Sequence, residues 1–259
     1  ERRGTVEMIT LSGVRFAYNG FPVIKGITHS FEKGSFTALL GPNGSGKSTL
    51  IRLINGILTP QVGTVEVMGR HAGTVSAREM AREMAYVPQM QYNTFPATVF
   101  DTVLLGRNPY ISWSPGKDDR RITAEIMVRL GLDDIALKDV NKLSGGQRQQ
   151  VFIARALAQE PSVILLDEPT ANLDLRHQHE ILRLLRDLAE GGITVLMAIH
   201  DLNLALKYCR EFMILDDGQV RAEGGSDIFS EKLIEQIYGV RIKIIRQEGE
   251  MFILPTEPL

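Results

Sequence analysis

The sequence predicts an α/β domain: a mainly parallel sheet covered by helices on both faces, with a helical lobe inserted into it. Three features predict this. Short, wholly apolar runs at 163–166 and 193–199 alternate with helical stretches, a glycine-rich loop at 41–49 joins a strand to a helix, and from Thr98 to Gln159 the apolar residues recur at helical spacing. Strands apolar on both faces must be buried on both faces, which is the condition of a parallel sheet between helix layers.

Taken in order, the first 40 residues read as strands at 9–16, 23–31 and 35–40, broken by Asn19-Gly20 and Lys33-Gly34 turns. The glycine-rich loop opens a helix over 47–56, and a strand at 64–68, a short helix at 77–83 and a strand at 85–87 follow. In the middle third, Val99, Val103 and Leu104, then Ile122, Ile126 and Leu130, then Val151, Ile153 and Leu157 mark helices. Between them a Pro/Gly-containing loop at 108–117 carries Tyr110 and Trp113. Alternation resumes with a strand at 163–166, a helix at 176–189, a strand at 193–199, a helix at 202–208 and a strand at 212–215. An Asp217-Gly218 turn leads into a last partner strand at 219–222.

The chain has 259 residues, 44% apolar and 23% charged, enough to fill the core of one large domain. A net charge of −2 lacks the basic excess that tracks a nucleic-acid backbone, so no nucleic-acid partner is expected. The single cysteine, Cys209, excludes an internal disulfide and a cysteine-held metal cluster; it reads as a small buried hydrophobe in a reducing compartment. No apolar run approaches the roughly 20 residues that span a bilayer, and no apolar stretch follows Glu1-Arg2-Arg3-Gly4. The expectation is a soluble, cytosolic chain, so that any transport requires other chains to form the pore.

Gly41, Pro42, Asn43, Gly44, Ser45, Gly46, Lys47, Ser48 and Thr49 match G-x-x-x-x-G-K-[ST] between a strand and a helix. Glycines let successive backbone N–H groups wrap a phosphate, and the helix N-terminus adds partial positive charge. Lys47 can reach the β- and γ-phosphates and Ser48 can offer its hydroxyl to Mg²⁺. The loop alone equally fits a GTPase or a small-molecule kinase. A second strand, 162–166, ends in Asp167 and Glu168, charges that are costly at the edge of so apolar a run unless paired or metal-bound. Asp167 fits a Mg²⁺-binding acid, and Glu168, pointing elsewhere, a general base for the attacking water. Leu143-Ser144-Gly145-Gly146-Gln147, at the start of a helix expected over 148–159, is another anion cradle. One nucleotide needs only one cradle, so two chains head to tail could clamp two nucleotides between them.

On these residues the chain resembles the ABC ATPases. Gly41 to Thr49 is similar to their Walker A loop, 164–168 to their Walker B strand, and Leu143 to Gln147 to their signature motif. The resemblance implies further roles: Tyr18 as the aromatic stacked on adenine, Gln89 as the Q-loop glutamine, Leu173-Asp174 as the D-loop and His200 as the switch histidine at the γ-phosphate. It also implies ATP and Mg²⁺ as cofactors, with Ser48, Gln89 and Asp167 at the metal, and a homodimer formed on ATP binding. The implied fold is a RecA-like P-loop NTPase core with an N-terminal antiparallel β subdomain, over residues 1–89 and 160–259, and an inserted α-helical subdomain over 90–159. Ala171-Asn172 departs from the family, which often has a serine ahead of the D-loop.

Three kinds of ABC protein compete. A DNA-repair ATPase needs a long coiled coil for which Gln89 to Ser144 leaves no room, and ribosome-binding factors usually carry two cassettes where this chain has one. An iron–sulfur assembly accessory, a soluble single cassette, stays as the alternative. The stretch 95–121 and the tail, residues 231–240 followed by a hairpin-like 242–254, resemble the iron-chelate, haem and cobalamin importers. That branch implies two membrane permease subunits, a substrate-binding protein and a peripheral place on the cytoplasmic face of the membrane. Phe95, Phe100, Tyr110 and Trp113 are expected to hold the permease-docking surface, with Phe100 claimed by lobe packing. His177 and His179, two apart, face different ways on a helix and read as solvated; His29 and His71 have no assigned role.

Overall fold

The computed structural model describes residues 6–89 and 96–258. In chain order the elements are β1 (Glu7–Tyr18), β2 (Phe21–Glu32), β3 (Phe36–Leu40), α1 (Lys47–Ile54), β4 (Val62–Val67), β5 (Arg70–His71), α2 (Ala77–Glu83) and β6 (Met84–Val87). The middle holds α3 (Val99–Leu104), α4 (Lys117–Arg129) and α5 (Gly145–Leu157). Then come β7 (Val163–Asp167), α6 (Leu175–Glu190), β8 (Thr194–Ala198), α7 (Leu202–Tyr208), β9 (Glu211–Asp216), β10 (Gln219–Gly224), α8 (Glu231–Tyr238), β11 (Val240–Gln247) and β12 (Glu250–Pro258).

The central sheet runs β10-β9-β3-β8-β7-β6, parallel throughout except for β10, which returns antiparallel on β9 through the Asp217-Gly218 turn. Strands β3, β7 and β8 are buried along their whole length. Alternate residues feed two cores: Ala38, Leu40, Ile164 and Leu166 face α6 and α7, while Leu39, Val163, Leu165 and Leu196 face α1. The N-terminal strands form a separate antiparallel sheet, β2-β1-β4-β5, whose inward side chains join the α1 core. Strand β1 is longer than its apolar pattern predicts because pairing with β2 continues to Tyr18↔Phe21, at the Asn19-Gly20 turn.

Helices α3, α4 and α5 close on a third core of Val99, Val103, Met127, Val140, Val151 and Ala154. Each helix is stopped or started by local chemistry. Thr98 caps α3 by accepting from the Asp101 N–H, and Ser144 caps α5, so that α5 begins at Gly145 rather than Arg148. The tail is a helix and hairpin whose strand edges are closed by side chains. Glu235 and Glu231, one turn apart on α8, accept from the N–H groups of Ile242 and Ile244 at 3.1 and 2.9 Å. Such closure removes an unpaired edge that would otherwise template pairing. No helix among the described residues is long and apolar enough to cross a membrane.

Candidate functional site

The four neighbouring parallel strands β3, β8, β7 and β6 each end at the same edge of the sheet. The glycine-rich loop follows β3, His200 follows β8, Glu168 follows β7 and Gln89 follows β6. Topology thus lines up residues up to 159 positions apart in sequence, at the carboxyl ends of the strands where open α/β sheets bind ligands.

The loop is folded tightly onto β9. Gly41 has φ +138°, and a Cβ there would lie 2.0 Å from the Leu215 carbonyl oxygen; neither the conformation nor the space admits another residue. The Lys47 ammonium curls over the loop, donating to the carbonyls of Gly41 at 2.7 Å and Pro42 at 3.0 Å. Burial pushes its pKa down, opposed by the Glu168 and Asp167 carboxylates. Ser45 is buried, and its Oγ finds no hydrogen-bond partner among the described residues. An orphaned hydroxyl in a cradle of backbone N–H groups suits a phosphate ligand.

Ser48 donates to Asp167 Oδ1 at 2.8 Å, joining α1 to the end of β7. Asp167 is 3% exposed, and burial raises its pKa, against the Ser48 hydrogen bond that favours the carboxylate. Glu168 takes up a left-handed backbone at φ +52° and its N–H donates to the Ala198 carbonyl. That reversal sends its carboxylate away from Asp167 to a different pair of partners: it accepts from the Gln89 amide and meets His200 Nε2, both at short range. Six of the expected residues, Lys47, Ser48, Gln89, Asp167, Glu168 and His200, thereby form one connected group. A hydroxyl and a buried carboxylate are hard oxygen donors, the kind that hold Mg²⁺ together with phosphates and water.

Ser144, Gly145, Gly146 and Gln147 lie on the other lobe, and among the described residues no hydrogen bond joins them to the loop 41–49. Ser144 is exposed and shares a reciprocal capping box with Gln147. Gly146 is buried against α6: a Cβ there would lie 2.2 Å from the His177 ring. Asp174 caps α6, accepting from the His177 N–H at 2.9 Å and pairing with His177 Nδ1 at 2.7 Å. Those contacts, the backbone one foremost, hold its carboxyl below the usual range. So the D-loop and the signature meet through His177, which the spacing argument had left in solvent. His179 is not solvated either: its Nδ1 lies 2.6 Å from the Tyr208 hydroxyl, a cross-helix contact that periodicity within one helix does not reveal.

Tyr18 ends β1 at 40% exposure, edge-on to Phe16 with ring centres 4.8 Å apart. Arg52 of α1, unmarked in the sequence reading, lies beside the phenols of Tyr86 and Tyr18, which hold its pKa up, Tyr86 most. No spacing rule signals it, because its neighbours come from β6 and β1. His29 pairs with Glu223 at 2.8 Å and His71 with Glu66 at 3.5 Å, both between strands. Cys209 is buried, and burial pushes its thiol pKa up, as an inert core residue requires.

Residues 24–171 match the ABC transporter family. The chain is 41% identical over 249 residues to an uncharacterised ABC transporter ATP-binding protein of Methanocaldococcus jannaschii, covering 96% of this chain and 98% of that one. It is 38% identical over 238 residues to a cobalamin import ATP-binding protein of Halobacterium salinarum, covering 91% and 60%. To the ferric enterobactin transport ATP-binding protein of Escherichia coli it is 38% identical over 234 residues, covering 88% and 86%. Among solved structures, a chain from a transporter described as of the metal-chelate type, inward-facing, superposes with TM-score 0.84 at 30% identity, covering 98% of both. A dimeric bacterial ABC transporter cassette superposes with TM-score 0.74 at 33% identity, covering 84% of this chain and 98% of that one. Phosphate loop, twin carboxylates, capped signature helix and these similarities agree: the chain belongs to the ABC transporter family, as an ATP-binding, ATP-hydrolysing subunit similar to those named for cobalamin, haemin and ferric enterobactin import.

Proposed function

We propose that the chain powers import of a metal chelate of the iron–siderophore, haem or cobalamin kind, by ATP-driven closure of two copies around two nucleotides. The names of the relatives favour this over a soluble iron–sulfur accessory. One observation carries the dimer: each chain has two phosphate cradles on different lobes, and the second, at Ser144, is exposed rather than turned onto the first. Each ATP is then held by Gly41–Thr49 of one copy, with Tyr18 against the adenine, and by Ser144–Gln147 of the other, with Asp174 close to the junction. Residues 96–159 act as a separate lobe on the core. Ser48 and Asp167, with Gln89, would hold Mg²⁺, which neutralises charge on the phosphates. Glu168 takes the proton of the attacking water, and His200 and Gln89 orient that carboxylate and sense the γ-phosphate.

Two permease subunits and a substrate-binding protein complete the transporter, this chain lying peripherally on the cytoplasmic face; no nucleic acid takes part. The permease docks over a cavity of about 530 Å³ lined by Arg78, Tyr86, Leu105, Pro109 and Gln159, and on Trp113, which is 98% exposed. Phe95 lies outside the described residues, and Phe100 packs on the lobe core.

Mixed dimers carrying Lys47→Ala and Ser144→Arg test the composite site. With the changes on different chains, one site loses both halves and the other stays whole, so labelled ATP is trapped. With both changes on one chain, each site loses one half and nothing is trapped. Equal trapping in the two arrangements would sink the dimer reading.

A further inference from the structure

The C-terminal helix and hairpin touch the nucleotide site at two places that no motif marks. The firmer is Asn203. Its side-chain amide acts as one more residue of strand: Nδ2 donates to the Ile253 carbonyl at 3.0 Å and Oδ1 accepts from the Ile253 N–H at 2.8 Å. This closes the free edge of β12 while tying it to the first turn of α7. Asp201, capping that turn, accepts from the N–H groups of both Asn203 and Leu204 at 2.9 Å. His200, whose ring meets Glu168, is the residue immediately before the cap. Only Asp201 and Leu202 therefore separate the hairpin's anchor from the histidine, and a fixed cap makes them one rigid piece.

The neighbouring contact is open. A cavity of about 460 Å³ between the hairpin and α7 is lined by Asp201, Asn203 and Lys207 on one side and by Arg246, Glu250 and Phe252 on the other. The opposite edge of the tail reaches the phosphate loop. Tyr238, the last residue of α8, is half-buried, with its hydroxyl enclosed beside the Gly41 backbone, short of a well-formed hydrogen bond. Burial raises its phenol to about 12.

We infer that Asn203 is a positioning residue for His200, through which the C-terminal hairpin sets the orientation of the switch histidine and hence the rate of hydrolysis. The inference rests on the reading of Glu168 and His200 given above. Asn203 is itself exposed and contributes little to any core, so its role is separable from folding. An asparagine that merely finished a sheet edge would affect the hairpin and stop there.

Asn203→Ala, with Asn203→Leu to keep the volume, tests this in the intact chain. The proposal expects kcat for ATP hydrolysis to fall about tenfold with KM within about twofold, since misorientation at the reacting end costs rate rather than binding. The His200 imidazole resonances, assigned by their loss in His200→Ala, should move while those of His29 and His71 stay put. Unchanged kcat and unchanged His200 resonances would overturn it. So would loss of folded protein in both variants with the His29 and His71 signals moving too, because the role would then be packing. If His200→Ala hydrolyses at the wild-type rate, the reading of His200 fails; if His200→Ala is dead and Asn203→Ala normal, only the positioning role fails.

Discussion

At the phosphate loop glycine lets backbone pass close to backbone, whereas at the signature it lets a helix pass close to an imidazole. Gly41 has a left-handed φ and faces a carbonyl of β9, so nothing nearby can yield. Gly146 has an ordinary helical backbone and faces only the His177 side chain, which can be removed. The two regions differ in charge as well. Lys47, Asp167, Glu168 and His200 crowd the first, while at the second Asp174 and His177 serve a helix cap. The first cradle is thus built for chemistry and the second for fit.

That division is tested most severely by Glu168→Gln. If the chemistry belongs to the sheet edge alone, hydrolysis should drop by about 10²–10⁴, the range spanned by a general base. ATP binding should persist, and gel filtration with ATP should show a stable dimer. Hydrolysis at the wild-type rate would remove Glu168 as the base and erase the contrast.

The second largest effect concerns fit. Gly146→Ala should be favourable by about 0.5–1 kcal/mol from helix propensity alone. The His177 ring 2.2 Å from the new methyl group outweighs this, since forcing volume into a packed site costs about 1–3 kcal/mol. The variant should therefore melt lower than the parent. In a His177→Ala background the sign should invert, and Gly146→Ala should raise the melting temperature. Destabilisation in both backgrounds would mean that something other than His177 demands glycine.

How much of this was legible in the sequence follows the same line. The loop at 41–49, Asp167, Glu168 and the alternation of strands and helices are local patterns, and the structure has them with small shifts of bounds. Helix α5 starts three residues early because Ser144 and Gln147 cap each other, a signal present in the sequence as S-x-x-Q. What stayed hidden lies between elements. The His179–Tyr208 contact, the Arg52 phenols and the Gly146–His177 approach join segments that no periodicity relates. The positive φ of Glu168 was equally invisible, although it explains how adjacent carboxylates reach different partners.

The smallest effect on stability, and the sharpest use of the contrast between packed and presented groups, lies within one loop. Tyr110 and Trp113 were expected to act alike as docking residues, but the structure separates them. The Tyr110 hydroxyl donates to the Gln159 carbonyl at 2.9 Å, and its ring lies 4.0 Å from the Arg107 guanidinium. That guanidinium is itself held by Asp119 and Glu160. Tyr110→Ala therefore loses a hydrogen bond worth about 1 kcal/mol and a cation–π contact worth about 0.5–1 kcal/mol. Its melting temperature should fall, and any loss of transport would then be ambiguous. Trp113, at 98% exposure, touches almost nothing that folding needs, so Trp113→Ala should stay within about 0.5 kcal/mol of the parent. Basal ATP hydrolysis of the isolated chain should be unchanged as well. Reconstituted with permease subunits, the same variant should lose stimulation of hydrolysis by the transported substrate, because a large exposed aromatic is suited to anchoring a partner. If stimulation and transport survive in Trp113→Ala, the docking surface lies elsewhere on the lobe and the exposed indole is incidental.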